Sequence, residues 1–165
     1  MKLITRYSKL KTSCGFTLIE LLISISIIAV IASVGVINIV NYRNRQNLKI
    51  NTQKIVEVLR NAQNRSITQE NGIRWGVHFE NPAGDNNDFY DLFSGAAYNA
   101  DKVVSRTVVS NGIQFDIPPS GASSTIIFAP LTGFLDVSST IKISLISNSS
   151  VSSTITIGAN GQIQY

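Results

Sequence analysis

The sequence predicts an α+β protein, in which one long N-terminal helix packs on a mainly antiparallel, β-rich C-terminal head. Three observations support this prediction. The segment from Leu21 to Tyr42 contains no charged residue. No proline occurs before Pro82, so no proline interrupts a helix in the N-terminal part of the chain. After Gly72 the apolar residues alternate in short runs separated by turn residues, which is typical of strands.

The uncharged segment is long enough to cross a bilayer. It contains 22 residues, and about 20 apolar residues span the hydrocarbon core as a helix. A secretory signal peptide has a shorter apolar region, of about 7–15 residues, that ends at a small-residue cleavage site. Residues 16–42 are therefore predicted to form a single-pass transmembrane helix.

Positive charge flanks this segment on both sides. The first 15 residues contain four bases and no acid, which accounts for the whole net charge of +4. Residues 43–65, the basic stalk, contain six bases and only Glu57 as an acid. The positive-inside rule therefore does not decide the orientation of the helix in the membrane. Long C-terminal domains, however, are translocated largely regardless of charge. For the basic stalk itself three interpretations stay open: a solvated helix face, contact with lipid headgroups, or contact with acidic neighbouring heads.

Helical periodicity continues beyond the apolar segment. One stripe at three- and four-residue spacing suits packing on a soluble domain, and it consists of Leu48, Thr52, Ile55, Leu59, Ala62 and Ser66. A continuous helix is predicted from about Phe16 to about Glu70, with residues 43–70 as its amphipathic continuation. Its first half is apolar on all sides, so that half must lie in lipid or among other helices.

The remaining residues, 71–165, are predicted to form the β-rich head. The interval Asn81–Ala100 is rich in turn residues and is predicted to be a loop. Seven short strands are predicted around it, at Ile73–Phe79, Val103–Val109, Ile113–Ile117, Thr125–Ala129, Thr140–Ile146, Val151–Ile157 and Gln162–Tyr165.

Few residues in this chain are suited to catalysis or metal binding. Cys14 is the only cysteine and His78 the only histidine, so an intramolecular disulfide is excluded and a zinc site nearly so. His78 lies in an alternating strand with no recognisable nucleophile or acid beside it. A structural role is predicted for it, and the chain is predicted to be no enzyme and to need no metal or cofactor.

The predicted loop is crowded with oxygen ligands, but their spacing does not fit calcium. Counted from Asp85, an EF-hand loop would need an oxygen ligand at Phe89 and a glycine at Tyr90. A solvated loop is therefore predicted for Asp85, Asn87, Asp88 and Asp91. The aromatic side chains are predicted to fill the core or hold the loop rather than bind a sugar or peptide, and they are Trp75, Phe89, Tyr90, Phe93 and Tyr98.

The junction between the leader and the apolar segment is the most specific motif. It reads Gly15-Phe16-Thr17-Leu18-Ile19-Glu20. A carboxylate within an apolar span costs about 2.5–3.5 kcal/mol, so Glu20 needs a partner. Cleavage after Gly15 would supply one, because the new α-amine of Phe16 becomes a cation on the same apolar segment. Glu20 could then pair with its own amine or with that of a neighbouring chain.

This junction resembles the processing site of type IV pilins and type II secretion pseudopilins. The resemblance implies cleavage after Gly15 by a membrane prepilin peptidase and N-methylation of Phe16. It also implies assembly through Thr17 and Glu20, with Glu20 pairing with a neighbour's N-terminus. The implied protein is a structural subunit of a type IV pilus or a type II secretion pseudopilus. It would be stored in the bacterial inner membrane with its head outside the cytoplasm, and its implied partners are other pilins or pseudopilins, the peptidase and the inner-membrane assembly platform.

The head carries a second resemblance. A strand that ends in Pro130-Leu131-Thr132-Gly133, and a short closing strand after Gly161, are similar to the pattern of H-type minor pseudopilins and FimT-like minor pilins. The resemblance implies a long helix under a sandwich-like head.

Two other functions have to be weighed against the structural subunit. Some FimT-like pilins bind DNA through arginines near the closing glycine, but Gly161–Tyr165 contains no base. A DNA- or surface-binding minor pilin at a pilus tip is therefore the alternative, with nucleic-acid binding disfavoured. A membrane-anchored enzyme or receptor would need a polar cleft, which the sequence does not reveal.

Overall fold

The structure of the protein is a computed structural model. It describes residues 15–84 and 87–165, with the backbone alone described at residues 33–38. The predicted leader lies outside these residues except for Gly15, and so do Asp85 and Asn86 of the predicted loop. The chain divides into two compact units, residues 1–40 and residues 41–165.

The predicted long helix is present as α1, Leu18–Ile67. Thr17 caps its start, because the Thr17 Oγ1 accepts a hydrogen bond from the Glu20 N–H at 3.3 Å. Beyond the other end, Gln69 has a φ of 50°, which a helical backbone does not adopt. A 3₁₀ turn at Glu70–Gly72 then leads to the first strand.

The described part of the first unit is the N-terminal portion of α1 and the three residues before it. Apolar side chains are exposed around the helix in this unit, from Phe16 at 82% exposure to Ile31 at 67%. Among the described residues, no helix combines the length and the apolar character needed to cross a membrane. A membrane location for residues 16–42 stays a prediction.

The second unit contains eight strands in two antiparallel sheets. Sheet A has the order β3-β2-β1-β5, and sheet B has the order β4-β6-β7-β8. The strands are β1 Trp75–Asn81, β2 Phe89–Ser94, β3 Val103–Val108, β4 Ile113–Ile117, β5 Ala122–Phe128, β6 Ser139–Leu145, β7 Asn148–Ile157 and β8 Ile163–Gln164.

One hydrophobic core joins the second half of α1 to both sheets. The predicted helical stripe is confirmed, since Ile55, Leu59 and Ala62 are each at most 1% exposed. Sheet A adds side chains such as Phe79 and Phe128 to the same cluster, and sheet B adds side chains such as Ile143 and Ile155. The predicted α+β class, with a helix packed on an antiparallel β head, is therefore observed.

The predicted loop Asn81–Ala100 is wrong over part of its length, because it contains strand β2. This strand shows no alternation in burial, since the four residues from Tyr90 to Phe93 are all buried. A polar residue, Asp91, stands in the middle of the strand and interrupts its apolar pattern. The period-two signal that revealed the other strands is therefore missing here.

Candidate functional site

The N-terminal junction lies in a short non-helical segment that leads directly into α1. Gly15, Phe16 and Thr17 precede the helix, and the Leu21 N–H donates to the Thr17 carbonyl at 3.2 Å. Glu20 therefore lies in the first turn, where a carboxylate interacts favourably with the helix dipole. The first turn thus presents one anion, at the fifth residue after the point of predicted cleavage.

Nothing in the described fold requires a glycine at position 15. A Cβ atom at Gly15 would meet no other atom within 4 Å. By contrast, a Cβ at Gly76 would lie 2.6 Å from the Ile126 carbonyl oxygen. The residue type at position 15 is therefore free of packing constraints within the described chain.

The polar groups in the apolar half of α1 fall into two classes. The hydroxyls of Ser24 and Ser26 donate to the carbonyls of Glu20 and Leu22 at 2.7 and 2.8 Å, so they need no further partner. The exposed Glu20 carboxylate is different, because no cation within residues 15–84 or 87–165 forms an ion pair with it. Glu20 is therefore the group in this segment that still requires an opposite charge.

In the second unit, Gln63 connects α1 to two turns of the head. Its Nε2 donates to the carbonyl of Gly133 at 3.1 Å and to the carbonyl of Gly161 at 2.8 Å. Both glycines have positive φ, and a Cβ on either would lie within 3 Å of Gln63. The glycines of the Pro-x-x-Gly turn and of the closing strand are thus needed so that both turns can approach the same helix residue.

Ser66 makes the next connection, one helical turn further along. Its Oγ accepts from the Trp75 N–H at 2.8 Å and lies 3.3 Å from the Trp75 carbonyl. The Leu131 N–H donates to the Ser66 carbonyl at 3.2 Å. Ser66, the last member of the helical stripe, therefore holds the start of sheet A and the turn after β5 against the end of α1.

The outer face of sheet A carries one polar row across all four strands. Register pairs Thr125 with His78, His78 with Asp91, and Asp91 with Arg106. The neighbouring residues Val77, Leu92 and Ile126 belong to the core, so the row points away from it. Sequence reasoning did not find this row, because strand register is not visible in a sequence.

Asp91 is the centre of that row. It is fully buried and accepts hydrogen bonds from the Arg106 Nε and Nη2 at 2.8 and 2.7 Å. The Tyr98 hydroxyl also donates to it, at 2.8 Å. Burial acts to raise the pKa of Asp91, but the hydrogen bonds from Arg106 and Tyr98 outweigh burial, so the pKa lies below its ordinary value. Asp91 is therefore an ionised structural group.

His78 has the structural environment predicted for it. Its Nδ1 lies 2.7 Å from the Thr125 Oγ1 and its Nε2 lies 2.9 Å from a Glu80 oxygen. Tyr98 stacks on the imidazole with the ring centroids 3.7 Å apart. The acid beside His78 was not recognised from the sequence, although Glu80 lies two residues further along the same strand.

The predicted solvated loop is wrong for two of its acids. Asp91 is paired as described above, and Asp88 is 8% exposed and accepts from the Phe115 N–H. Burial raises the pKa of Asp88, and the hydrogen bond from Phe115 only partly opposes that effect. Within the described residues, no group of three or more His, Cys, Asp or Glu is placed to hold a metal ion.

The aromatic residues divide between the core and the loop that covers sheet A. Trp75 and Tyr90 belong to the core, as predicted. Phe93 packs edge-on against Tyr98 at 5.3 Å on the outer face, and the Arg106 guanidinium lies 4.0 Å from the Phe89 ring centre. The prediction that these side chains fill the core or hold the loop is confirmed.

Most bases of the basic stalk are exposed, and they are Arg43, Arg45, Lys49, Lys54 and Arg60. Among the described residues, Arg65 is the one base of the stalk that forms an ion pair, at 3.4 Å with Glu70. Arg65 also lies 4.5 Å from the Trp75 ring centre, and Arg60 lies 5.9 Å from that of Tyr165.

Comparison with known proteins adds two similarities. Residues 10–36 match a family model described as the prokaryotic N-terminal methylation motif. The fold is similar to two crystal structures of the type IV minor pilin FimU from Pseudomonas aeruginosa strain PAO1. The TM-scores are 0.50 and 0.54 at 12% identity, over 71% and 74% of this chain and 90% of the FimU chain in each case.

The chain is type IV pilin-like. The motif and the fold support this assignment independently, since one is a short N-terminal sequence and the other includes the head. No curated protein sequence matches the chain. In this pilin-like chain Thr17 caps the start of α1 and Glu20 lies in its first turn, with Gly15 and Phe16 immediately before them.

Proposed function

We propose that this pilin-like chain is a minor structural subunit of a type IV pilus or of a type II secretion pseudopilus. The observation that carries the proposal is the exposed apolar surface of α1 between Leu18 and Ile31, with Glu20 as its one charged residue. Exposed apolar surface of this extent marks a contact with lipid or with other proteins. A bundle of like helices satisfies that requirement and also offers Glu20 a partner.

Processing after Gly15 by a prepilin peptidase is the proposed first step. The absence of any packing role for Gly15 supports it, because a residue that the fold does not need can be kept for recognition by another protein. Cleavage would leave Phe16 as the N-terminal residue and the proposed site of methylation. Its α-amine would lie at the positive end of the helix dipole, which disfavours a cation, so a nearby carboxylate gains importance.

Glu20 and Thr17 are the proposed assembly residues. Thr17 holds the start of the helix, so that Glu20 is kept in the first turn. The carboxylate can then neutralise the amine of Phe16 in the same chain or in a neighbour, and the second case links two subunits. Pairing between chains would remove two unmatched charges from an apolar bundle, where each is costly.

Storage in the bacterial inner membrane is proposed to precede assembly, with one membrane pass and the head outside the cytoplasm. The exposed apolar side chains would lie in lipid until the helix enters the filament. The proposed partners are other pilins or pseudopilins, the prepilin peptidase and the inner-membrane assembly platform. The turns at Gly133 and Gly161, both held by Gln63, support placement in the H-type and FimT-like group.

The proposal is tested by expressing the chain with and without a prepilin peptidase and measuring its intact mass and N-terminal peptide. We expect loss of Met1–Gly15 and addition of a methyl group to Phe16, both only when the active peptidase is present. A catalytically inactive peptidase is the matched control. A leader that stays intact with active peptidase would contradict the proposed subunit function.

A further inference from the structure

A groove in the second unit lies between the start of the basic stalk and strand β7. Its volume is about 300 Å³. It is lined by Leu48, Thr52, Val151, Ser153 and Tyr165, of which Leu48 and Thr52 are buried. Arg45 and Lys49 stand on its rim, and both are exposed. The groove thus combines an apolar interior with two cations at the entrance.

The two rim cations have no anionic partner in the described chain. The four ion pairs there involve Arg65, His78, Arg106 and Lys142, and none involves Arg45 or Lys49. An apolar groove with unpaired cations at its entrance is complementary to an amphiphilic anion. Such a molecule buries its apolar part and keeps its charge at the rim.

A second copy of this chain is poorly suited to be that anion. Most carboxylates of the head are already used: Asp91 and Asp116 are paired with Arg106 and Lys142, and Asp88 is buried. Among the described residues after Arg65, the exposed side-chain carboxylates without an ion pair are those of Asp101 and Asp136. The described surface of the head thus offers few free side-chain carboxylates to the two rim cations.

A membrane surface fits better, given the position of the groove along α1. Arg45 follows Tyr42, the last residue of the uncharged segment, by about 4.5 Å of helix rise, and Lys49 follows it by about 10 Å. The headgroup layer of one leaflet is about 5–8 Å thick, and charges act over about 8 Å at physiological salt. Lys54 lies about 18 Å beyond Tyr42, outside that range.

We infer that this groove binds the headgroup and upper acyl region of an anionic phospholipid, with Arg45 and Lys49 contacting the phosphate. The inference rests on the proposed function, because it requires that α1 holds the protein at a membrane. Bound lipid would keep the head against the bilayer before assembly. Each Lys or Arg held near an anionic leaflet strengthens binding about fivefold.

The test uses the full-length chain with Tyr165 replaced by photoreactive benzoylphenylalanine. The protein is reconstituted in vesicles of equal parts phosphatidylglycerol and phosphatidylcholine, irradiated, and analysed by mass spectrometry. We expect phosphatidylglycerol adducts to exceed phosphatidylcholine adducts by about 25-fold, about fivefold for each of the two cations. The double variant Arg45→Gln/Lys49→Gln should lose this preference. The double variant Lys54→Gln/Arg74→Gln removes the same charge at exposed sites that do not line the groove and should keep it.

Three results would overturn the inference. Adducts in proportion to lipid abundance would show that the groove does not select anions, and equal effects of the two double variants would show that position is irrelevant. Adducts with a second protein chain would assign the groove to a neighbouring subunit. Flotation with pure phosphatidylcholine vesicles separates the two proposals: a chain that fails to float contradicts membrane storage itself, whereas a chain that floats without selective adducts contradicts only the lipid site. Trp75 fluorescence verifies that each variant is folded.

Discussion

At the scale of single residues, two acids of the predicted loop, Asp88 and Asp91, are buried and hydrogen-bonded within the head. Asp91 is fully buried between Arg106 and Tyr98, and these contacts join strands β2 and β3 to the loop that covers them. A carboxylate in such a position contributes to stability only while it is ionised and paired. The outer face of sheet A therefore depends on the charge state of one residue.

We expect Asp91→Asn to lower the free energy of unfolding by about 2 kcal/mol at pH 7, because Arg106 and Tyr98 lose a charged acceptor. The pKa of Asp91 is lowered in the folded state, so its contribution is fully present above its ordinary value near 3.9 and is lost as the pH falls through the folded value. The difference between the two proteins should therefore shrink in acid. Urea unfolding in detergent, followed by Trp75 fluorescence, measures it.

Two features make this measurement specific. Asp88 acts in the opposite direction, since its raised pKa means that protonation favours the folded state, but it is the same in both proteins and cancels in the difference. Asp101→Asn serves as the control, because Asp101 is exposed and has no ion pair among the described residues. A difference between wild type and Asp91→Asn that does not shrink as the pH falls below the ordinary aspartate pKa would contradict the assignment.

The glycine at position 161 is expected to be required for two separate reasons. Its φ is +77°, and a Cβ would lie 2.4 Å from the Gly133 carbonyl oxygen and 2.6 Å from the Gln63 Nε2. Gly112→Ala is the matched control, since its φ is +88° but its Cβ would meet nothing. We expect a loss of about 1 kcal/mol for the control and about 3 kcal/mol for Gly161→Ala. Equal losses in a thermal unfolding experiment would show that close approach to Gln63 is unimportant.

At the scale of elements, α1 changes its role along its length without any break in its hydrogen bonding. Its first part exposes apolar side chains around the helix, whereas from Leu48 onward one stripe is buried in the head. The difference arises from how apolar side chains are distributed around the helix. A helix that is apolar on all sides and an amphipathic helix need different environments. The second part supplies one wall of the core that both sheets share.

The buried stripe predicts a strong dependence on position within one helix. Leu59→Ala should lower the free energy of unfolding by about 3 kcal/mol, because Leu59 is 0% exposed and truncation leaves a cavity. Ile50→Ala removes a similar volume from a side chain that is 46% exposed, and it should cost less than half as much. Chemical denaturation of both variants, read from Trp75, measures the difference. Similar losses would mean that the head does not pack on this stripe.

At the scale of the whole molecule, the two units meet different requirements. The second unit has its own core and satisfies its buried side-chain polar atoms within the described residues. The described part of the first unit leaves apolar side chains exposed, and the Glu20 carboxylate forms no ion pair there. A protein with a self-contained core in one unit and exposed apolar surface in the other is suited to assembly. This is the basis of the proposed function.

Glu20→Gln is expected to separate processing from assembly. The leader should still be removed, because Gly15 and Phe16 are unchanged, but incorporation into filaments should fall at least about tenfold because the neighbouring amine loses its counter-ion. Incorporation is measured by co-purification with sheared filaments. Glu57→Gln, which removes an exposed carboxylate further along α1, is the control and should incorporate normally. Normal incorporation of Glu20→Gln would contradict the proposed pairing.

The sequence by itself determined the features that depend on local order along the chain. The approximate ends of α1, the buried stripe from Leu48 to Ser66 and seven of the eight strands were predicted correctly. Helical and strand periodicities report burial of one face, and they need no knowledge of the partner element. Strand β2 was not predicted, because both of its faces are buried and it therefore lacks the alternation of apolar and polar residues.

Only the tertiary structure decided what depends on register and on contact between distant segments. The row from Thr125 to Arg106 exists because four strands align at one position. A register shift of one residue would move the side chains of the shifted strand to the other face of the sheet. Gln63 meets Gly133 and Gly161 across separations of 70 and 98 residues. Such contacts follow from how the whole chain packs, and no local pattern specifies them.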